Sequence, residues 1–411
     1  MSLTKAGHGW DYDLLSLLVE DIALPAMVVD LDILDENIKR IRDIVVPSGK
    51  TMRLATKSVR VPALIQRIME VGGDSFQGLM CFSVLEAEFL SSLGLDDFLV
   101  AYPIVQKSEM QVAWDMTQAG QNITLMVDSA EHLDKWEAFC GQQDLNNEIQ
   151  PIQLCIDADM SYRPMGLHLG VQRSSIRTLN DFKKLAERIL DSPLLDLHGV
   201  MGYEAQIAGL GDASPFAPLM NPAKKVLKAT SARDVANKRK AIADYLANKG
   251  VSLGLFNGGG TGSLRTTSQE PWLTEVTAGS GFLQSHLFDY YQSNQNKPAF
   301  CFGLRVTRTP QPGTVTCQSG GFMASGEVGP DKSPLPYLPE GLKLTSMEGV
   351  GEVQTPLLVP KHVKLNAGSP VFFRPAKSVE IAEHFVEYLL VQKGEIVDRV
   401  LTYRGCGKCF Y

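Results

Sequence analysis

Short apolar runs alternate with segments of helical length along the first two-thirds of the chain. Most of these runs are apolar throughout, which is typical of parallel strands buried on both faces. Eight of them occur, at residues 51–56, 78–82, 97–104, 123–128, 152–157, 197–203, 251–256 and 272–277. Because eight strands with helices between them are what a closed barrel needs, the pattern predicts an α/β fold, a (β/α)8 TIM barrel. A doubly wound open sheet is the alternative fold.

Helical patterns fill the intervals between these strands. Ser83 and Glu86 have the spacing of a capping box that opens an apolar stripe. Residues 179–190 and 222–249 are also helical by pattern. One further strand, at residues 26–32, precedes the barrel strands and is followed by an amphipathic helix.

After about residue 290 the pattern changes. Proline, glycine and threonine become frequent, and short strands are predicted at residues 299–306, 314–317, 342–345 and 370–373. This change predicts a second, mainly β C-terminal domain. We place the barrel domain at residues 25–290 and the β domain at residues 291–411, completed by residues 1–24.

The composition excludes several classes of partner. Hydrophobic residues make up 44% and charged residues 21% of the 411 positions, as in a globular protein with a sizeable core. The net charge of −7 argues against nucleic acid as a partner, and no apolar run is long enough to span a membrane. The first residues lack the apolar core of a secretory signal, and the seven cysteines are an odd number, which favours reduced thiols. We therefore expect a cytoplasmic protein, in which the lone CxxC pair of Cys406 and Cys409 has no assigned role.

Two glycine-rich runs follow the last two predicted barrel strands. The run NGGGTGS occupies residues 257–263, and AGSG occupies residues 278–281. Such runs leave backbone N–H groups uncovered, and a concave set of these donors suits a phosphate. In barrel enzymes a phosphate site is often built after strands 7 and 8. Flexible turns are the alternative interpretation. The candidate phosphate-binding residues are Asn257, Gly259, Gly260, Thr261, Gly262, Gly279, Ser280 and Gly281.

Lys57 lies where the first predicted barrel strand ends. Barrel enzymes place their catalytic groups at such ends, and partial desolvation lowers the pKa of a lysine, which makes its amine nucleophilic enough for a Schiff base. A surface lysine with a buried stem is the alternative. Together with the glycine-rich runs, Lys57 predicts a ligand that carries a carbonyl group at one end and a phosphate at the other. Pyridoxal 5'-phosphate (PLP) and a phosphosugar both meet this description.

Five segments carry a resemblance to a known enzyme family. They are residues 25–30 (PAMVVD), residues 53–60 (RLATKSVR), residues 157–159 (DAD) with Arg163, Tyr203 with Gln206, and the glycine run at 259–262. Together they resemble the fold-type III PLP enzymes, in the group of D-threonine aldolase and D-serine dehydratase, related to alanine racemase. The resemblance spans about residues 25–380. It implies a barrel with a C-terminal β domain, forming a homodimer with the active site at the subunit interface.

The resemblance also implies roles for individual residues. Lys57 would hold PLP as a Schiff base and serve as the base for the Cα proton of a D-amino acid. Arg163 would lie beside the pyridine ring, although an ion pair with Asp157 or Asp159 is an equal alternative. Tyr203 is a candidate for catalysis and cofactor binding. Candidates for substrate binding are Gln206, Arg374, Lys377 and Arg404.

Several reactions remain compatible with these residues. Our leading hypothesis is loss of the β-hydroxyl group to give a 2-oxo acid and ammonia, as in a D-serine ammonia-lyase (deaminase). The alternatives are retro-aldol cleavage of the D-threonine aldolase type and amino-acid racemisation. From other classes, a non-catalytic PLP carrier leaves the β domain unexplained, and a phosphosugar aldolase also leaves residues 53–60 unexplained.

The need for a divalent metal is doubtful. In the aldolase and dehydratase, a His-x-Asp or His-x-Cys pair of the β domain holds a metal near the β-hydroxyl of the substrate. The corresponding stretch of this chain, residues 368–380, contains no histidine and no Asp or Cys at that spacing. Lys377 stands in the place of the histidine. The sequence therefore predicts no metal ligand in this stretch.

Overall fold

A computed structural model describes residues 10–143 and 149–411. The first described elements are α1 (Tyr12–Leu18), β1 (Ala26–Asp30) and α2 (Leu31–Val45). The Asp30 carboxylate caps α2 by accepting a hydrogen bond of 2.9 Å from the Ile33 N–H. One face of α2 is buried, as its apolar periodicity predicts.

Eight parallel strands close into a barrel in chain order. They are β2 (Thr51–Ala55), β3 (Phe76–Cys81), β4 (Phe98–Val100), β5 (Ile123–Val127), β6 (Ile152–Asp157), β7 (Leu195–Met201), β8 (Leu255–Gly258) and β9 (Glu275–Ala278). The ring closes where Met52 of β2 pairs with Val276 of β9. The predicted TIM barrel is therefore confirmed, and the open sheet is excluded.

Helices follow the barrel strands. They are α3 (Pro62–Gly72), α4 (Val84–Ser92), α5 (Lys107–Gln118), α6 (Ala130–Cys140), α7 (Leu179–Leu190), α8 (Ala205–Ala208), α9 (Asn221–Asn248), α10 (Leu264–Thr267) and α11 (Ser280–Leu283). Short 3-10 helices lie at Val46–Ser48, Thr56–Ser58, Gly73–Ser75, Pro164–Gly166, Pro218–Met220, His286–Tyr290, Pro330–Lys332 and Glu380–His384. Within residues 10–143 and 149–411, no helix has the length and apolar character needed to cross a membrane.

The predicted capping box at α4 is only half formed. The Ser83 hydroxyl accepts a hydrogen bond from the Glu86 N–H, as expected. The Glu86 carboxylate, however, accepts from the N–H of Phe82 rather than from that of Ser83. Glu86 is thereby drawn into the protein interior, where its side chain is fully buried.

A nine-stranded sheet forms the second layer of the protein. Its later strands are β10 (Phe300–Gln311), β11 (Thr314–Gln318), β12 (Leu335–Leu338), β13 (Lys343–Leu344), β14 (Gln354–Leu358), β15 (Pro370–Arg374), β16 (Glu387–Gln392) and β17 (Glu395–Leu401). The prediction of a mainly β second part is confirmed.

The N-terminal strand belongs to this second sheet. β1 lies between β10, to which it runs antiparallel, and β16, to which it runs parallel. The chain therefore starts in the β sheet, crosses into the barrel after α2 and returns at β10. The domain boundaries at residues 25–290 and 291–411 remain a prediction. β1 lies within residues 25–290 but belongs to the second sheet.

Candidate active site

A cavity opens at the carboxyl ends of the barrel strands. It encloses about 830 Å³ of empty space, its open mouth included. Five neighbouring strands, β4 to β8, each contribute one side chain to a buried apolar cluster of Leu99, Met126, Cys155, Met201 and Leu255. Met201 also lines the cavity, so this cluster borders it.

Lys57 lines this cavity from the 3-10 turn that ends β2. Its Nζ donates a hydrogen bond of 3.3 Å to the hydroxyl of Tyr102. Behind the turn, the Thr56 hydroxyl donates to the Met80 carbonyl at 2.9 Å, and Arg60 Nε donates to the Lys57 carbonyl at 3.1 Å. These bonds fix the backbone of the turn on both sides of Lys57 and leave its amine in the cavity.

The glycine-rich loop after β8 lines the same cavity. Gly259 has a φ of +96°, a conformation that side chains other than glycine rarely adopt. At Gly262, an added Cβ would lie 2.2 Å from the Tyr291 ring and 2.4 Å from the Ala208 carbonyl oxygen. Glycine is therefore required at both positions if the loop is to keep this shape.

The second glycine run closes the loop from the side of β9. The Thr261 hydroxyl accepts a hydrogen bond of 3.0 Å from the Gly281 N–H. The hydroxyls of Ser58 and Ser280 lie 3.2 Å apart, so the Lys57 turn and the second run are also joined. The structure thus brings the two glycine runs and the lysine into one site.

Most of the predicted site residues lie together around the cavity. Those that line it are Lys57, Tyr203, Asn257, Gly259, Gly260, Thr261, Gly279 and Ser280. Gly262 and Gly281 stand one layer behind, where they pack on Tyr291 and bond to Thr261. The roles assigned to these residues remain predictions, but their positions agree with a single binding site.

Arg163 lies away from this group. Its Nη2 is 2.7 Å from Asp159 Oδ2, the ion pair that the sequence left as an alternative. The arginine that lines the cavity is Arg173, ten residues further along the chain. Arg173 is exposed, and within the described part of the chain no hydrogen bond or ion pair holds its guanidinium. The cavity wall therefore carries one arginine, Arg173, and the role predicted for Arg163 remains untested.

Three other predicted substrate residues do not line the cavity either. Gln206 is buried, and its amide donates to the Met160 carbonyl at 2.7 Å. Arg374 is 1% exposed and pairs with Asp289, with Nη2 2.9 Å from Oδ1. Lys377 donates to the Ser325 carbonyl at 2.7 Å. Buried partners thus hold the Gln206 amide nitrogen and the terminal nitrogens of Arg374, while Gln206 Oε1 and Arg374 Nε have no hydrogen-bond partner among the described residues. Their roles in substrate binding remain predictions.

Two features of the C-terminal region were left open by the sequence. Arg404 is exposed at the surface. Cys406 is half-buried and Cys409 is exposed, and both are free thiols. Among residues 10–143 and 149–411, no group of three or more His, Cys, Asp or Glu side chains is arranged to hold a metal ion.

The titratable groups of the cavity are few. Among the described residues that line it, none is Asp, Glu or His. Burial, reinforced by the neighbouring Glu204 carboxylate, raises the pKa of Tyr203 to about 12, and Arg173 offsets only part of this. Tyr203 therefore keeps its proton at neutral pH. Lys57 is the amine that can carry a proton to or from a ligand in this site.

Sequence reasoning missed four polar residues of the lining, Ser58, Tyr102, Arg173 and Thr277. Tyr102 was counted inside a strand, but β4 ends at Val100 and places it at the strand's carboxyl end. The available signal was the proline at position 103, which disfavours strand continuation. Arg173 lies in a stretch without periodicity, and no pattern in it distinguishes one arginine from another.

Glu86 ties the Lys57 turn to the C-terminal segment. Its carboxylate accepts from the Phe82 N–H and from the Tyr403 hydroxyl, both at 2.8 Å. Burial raises the pKa of Glu86 from 4.5 to about 7, although these hydrogen bonds act in the opposite direction. The folded protein thus binds a proton on Glu86 that the unfolded chain has already released.

This shift makes a prediction about stability. Because the native state holds the extra proton between pH 4.5 and about 7, ionisation of Glu86 should lower the free energy of unfolding as pH rises through that window. Glu86→Gln cannot ionise at this position and so does not lose this stability. The difference in free energy of unfolding, variant minus parent, should therefore become more positive by roughly 2 to 3 kcal/mol between pH 5 and pH 8. Urea titrations at both pH values measure this difference.

A matched control lies on the same helix. Glu88 is exposed to water, so the free energy of unfolding of Glu88→Gln relative to the parent should be the same at pH 5 and pH 8. A Glu86→Gln difference that is also independent of pH would show that Glu86 does not bind this proton.

Comparison with solved structures places this fold among known enzymes. D-threonine aldolase from Filomicrobium marinum matches 94% of this chain and 97% of its own, with a TM-score of 0.79 and 16% identity. D-threo-3-hydroxyaspartate dehydratase from Delftia sp. HT23 matches 94% of this chain and 98% of its own, with a TM-score of 0.75 and 18% identity. At this identity the likeness shows the shared fold.

Comparison of sequences gives the family. A 3-hydroxy-D-aspartate aldolase of Paracoccus denitrificans is 23% identical over 278 residues, which are 67% of this chain and 65% of that protein. The chain thus covers slightly less than two-thirds of this relative. The profile of the alanine racemase N-terminal domain matches residues 29–281, which include the Lys57 turn and both glycine runs. Pyridoxal phosphate is the cofactor that this match implies, and the chain belongs to the alanine racemase N-terminal domain family.

Proposed function

We propose that this chain is a PLP-dependent lyase that deaminates a D-amino acid bearing a β-hydroxyl group, in the manner of a D-serine ammonia-lyase. The β-hydroxyl leaves as water, and water then displaces the amino group, so that D-serine would give pyruvate and ammonia. The observation that carries this proposal is the set of groups in the cavity: one amine, Lys57, beside the hydroxyls of Tyr102 and Tyr203, with no carboxylate or imidazole among the described lining residues.

The residues present fit the cofactor. Lys57 would hold its aldehyde carbon, and the loop at Gly259–Gly262, with Ser280, would hold its phosphate. At Gly260 an added Cβ would lie 2.8 Å from the Ala208 Cβ. The bare backbone of the loop therefore lines the site at this residue. When bound, PLP supplies an electron sink for negative charge at the substrate Cα.

The protein groups then have complementary tasks. Lys57 is the base that takes the proton from Cα, since no other described lining residue has a basic group free for this. Tyr203, with a pKa of about 12, keeps its proton and is suited to donate a hydrogen bond to a departing hydroxyl. One base and protonated phenols favour elimination. Racemisation needs a second base on the opposite face, and a phenol that keeps its proton serves poorly as one.

Aldol cleavage is the second candidate. It is favoured by the curated relative from Paracoccus denitrificans, which is named a 3-hydroxy-D-aspartate aldolase. Aldol cleavage requires a base at the β-hydroxyl rather than at Cα. The Tyr102 hydroxyl, 3.3 Å from Lys57 Nζ, is the group through which Lys57 would act there.

The reaction is tested by product analysis. The purified protein, loaded with PLP, is incubated with D-serine, D-threonine, D-threo-3-hydroxyaspartate and D-alanine, each with EDTA or with added Mg²⁺ or Mn²⁺. We expect a 2-oxo acid and ammonia in equal amounts from a β-hydroxy substrate. Formation of glycine together with an aldehyde, which is glyoxylate when the substrate is 3-hydroxyaspartate, would instead establish an aldolase. Formation of L-alanine from D-alanine would establish a racemase. The EDTA and metal arms decide whether a divalent metal is required.

We further infer that Arg173 binds the substrate carboxylate. It is a cation on the cavity wall with no described hydrogen-bond partner, and a carboxylate would supply a charge-assisted one. Asp157 lies near it: burial and Asp128 raise the pKa of Asp157 to about 7, and Arg173 opposes this. No ion pair joins Arg173 to Asp157 or to another described carboxylate, so its guanidinium is available to a ligand.

Replacement of the two arginines distinguishes this inference from the sequence prediction. Arg173→Ala should raise KM about 10- to 100-fold, the loss expected for one hydrogen bond to a charged group, with a smaller effect on kcat. Arg163→Ala removes only the pair with Asp159 and should leave KM close to that of the parent. The reverse order of effects would mean that Arg163, and not Arg173, binds the substrate carboxylate. Steady-state kinetics with D-serine provides the measurement.

The oligomeric state is proposed from the family resemblance as a homodimer. Light scattering coupled to size-exclusion chromatography should give the mass of two chains. A monomer that is fully active would contradict a shared active site.

A further inference from the structure

A buried carboxylate lies directly behind the glycine-rich loop. Glu204 follows Tyr203 at the end of β7 and is 1% exposed. Its side chain points away from the cavity, since it does not line it, and contacts the loop that follows β8. A negative charge behind a loop that is to receive a phosphate would ordinarily oppose anion binding, so its presence calls for a physical reason.

The contacts of Glu204 supply that reason. Oε1 accepts from the hydroxyls of Ser263 at 2.6 Å and Thr267 at 2.5 Å. Oε2 accepts from the Gly259 N–H at 3.1 Å and from Arg239 Nη2. Four donors thus converge on one carboxylate, and three of them belong to the loop or to the α10 helix that follows it. Glu204 fixes the position of both ends of the loop.

Arg239 balances the charge. It is fully buried in α9 and also pairs with Glu270 through Nη1. Burial alone would raise the pKa of Glu204, but Arg239 and the hydrogen bonds from Ser263, Thr267 and Gly259 outweigh it and hold the pKa below its usual value. Glu204 is therefore ionised at neutral pH, and its charge is neutralised on the side that faces away from the cavity.

The arrangement decides which N–H groups remain for a ligand. The Gly259 N–H is taken by Glu204, and the Gly260 N–H donates to the Ser263 hydroxyl at 3.2 Å. The N–H groups of Thr261 and Gly262 donate to no acceptor in the described part of the chain. The loop thus holds its first two amides in internal hydrogen bonds and leaves the next two without a described acceptor. Of these two residues, Thr261 lines the cavity, where its N–H is free to bind a phosphate.

We propose that Glu204, with Arg239 as its counter-ion, is a positioning residue that sets the glycine-rich loop for the phosphate of the cofactor. The proposal rests on the proposed function only in taking PLP as the ligand. Glu204 acts through the loop and does not itself touch the cavity. It should therefore affect binding through the phosphate and leave binding through Lys57 unchanged.

Two probes separate these contributions: PLP, and pyridoxal, which lacks the phosphate. Affinity of the apoprotein for each is measured by absorbance titration. In Glu204→Gln, an amide NH2 group replaces one carboxylate oxygen. Because this group is itself a donor, it cannot accept the hydrogen bonds of the residues that face it, and the loop should lose its fixed shape. We expect PLP affinity to fall about 10- to 100-fold, the range found when partners behind the ligands of metal sites are replaced. Pyridoxal affinity should stay at the parent value.

Glu270→Gln is the matched control. It makes the same carboxylate-to-amide change on the other side of Arg239, without a contact to the loop, and should keep both affinities. Two milder changes are Thr267→Val and Ser263→Ala. Thr267→Val removes one donor to Glu204, and Ser263→Ala removes another together with the acceptor of the Gly260 N–H. If Glu204→Gln does not fold, these two variants test whether Glu204 positions the loop. Each of them should lower the ratio of PLP affinity to pyridoxal affinity.

Three outcomes would overturn the inference. Equal PLP affinity in all variants and the parent would show that Glu204 does not position the loop. Equal loss of PLP and pyridoxal affinity would show a general structural role. A parent protein that binds no PLP would overturn the proposed function as well, whereas the first two results would leave that function intact.

Discussion

Lys57→Arg is expected to abolish turnover, with a loss of at least about 10³-fold, because a general base alone contributes 10²- to 10⁴-fold and its covalent role is lost too. Arginine keeps the positive charge and most of the volume but has no amine that can add to an aldehyde. Reduction with borohydride in the presence of PLP should therefore leave the variant unmodified. In the parent it should fix the cofactor on the peptide that contains Lys57, as mass spectrometry can show.

The same variant distinguishes binding of the cofactor from catalysis. The glycine-rich loop is untouched by the substitution, so PLP should still bind through its phosphate, more weakly and without a covalent bond. Lys107→Arg serves as the control, since Lys107 is exposed at the start of α5, donates to Gln142 at 3.4 Å and does not line the cavity. If Lys57→Arg retained turnover within about tenfold of the parent, a different residue would have to be the base, and the PLP-dependent mechanism would be lost with it.

The barrel was predictable because its strands carry a strong local signal. Strands buried on both faces are apolar throughout, and each of the eight was found within a few residues of its predicted place. The glycine run after β8 was also readable, since glycine is required where φ is positive or where backbone approaches closely. Both the strands and the glycine run could be predicted because their signals lie in the local sequence and need no information about distant contacts.

The second sheet was only partly predictable, because its pairings connect distant parts of the chain. β1 was recognised as a strand, but its partners lie near residues 300 and 388, and no local pattern states this. β14 was not among the predicted strands. It contains Pro356, which pairs with Thr316 within the sheet, and proline ordinarily argues against a strand with neighbours on both sides.

The arginine of the site could not be chosen from spacing. Arg163 and Arg173 lie in the irregular segment between β6 and α7, where side-chain direction is set by tertiary contacts. Tyr162 pairs with Leu169 in an isolated bridge, and Met165 has a φ of +49°. This local fold turns Arg163 toward Asp159 and leaves Arg173 on the cavity wall. Glu204 was likewise visible as a strand end, but its four donors come from three separate segments.

The strongest expected effect on stability comes from a charge inside the barrel. Arg53 of β2 is 3% exposed and makes two hydrogen bonds to Glu275 of β9, at 2.8 and 2.9 Å, and a third of 3.0 Å to Asp97. Burial would lower the pKa of Arg53, but the two carboxylates outweigh this and hold it above its usual value. The pair spans β2 and β9, the two strands at which the barrel closes.

Arg53→Met should lower the free energy of unfolding by about 3 to 5 kcal/mol, because it leaves Glu275 buried without its partner. It should also weaken cofactor binding, since Glu275 Oε1 accepts a 2.7 Å hydrogen bond from Asn257, a residue of the cavity wall. Arg67→Met is the matched control: Arg67 pairs with both oxygens of Asp35, but both side chains are partly in water. Its cost should be at most about 1 kcal/mol. Urea unfolding measures the free energy of unfolding of both variants. An equal decrease in the two would mean that the buried pair of Arg53 and Glu275 contributes no more to stability than the partly exposed pair of Arg67 and Asp35.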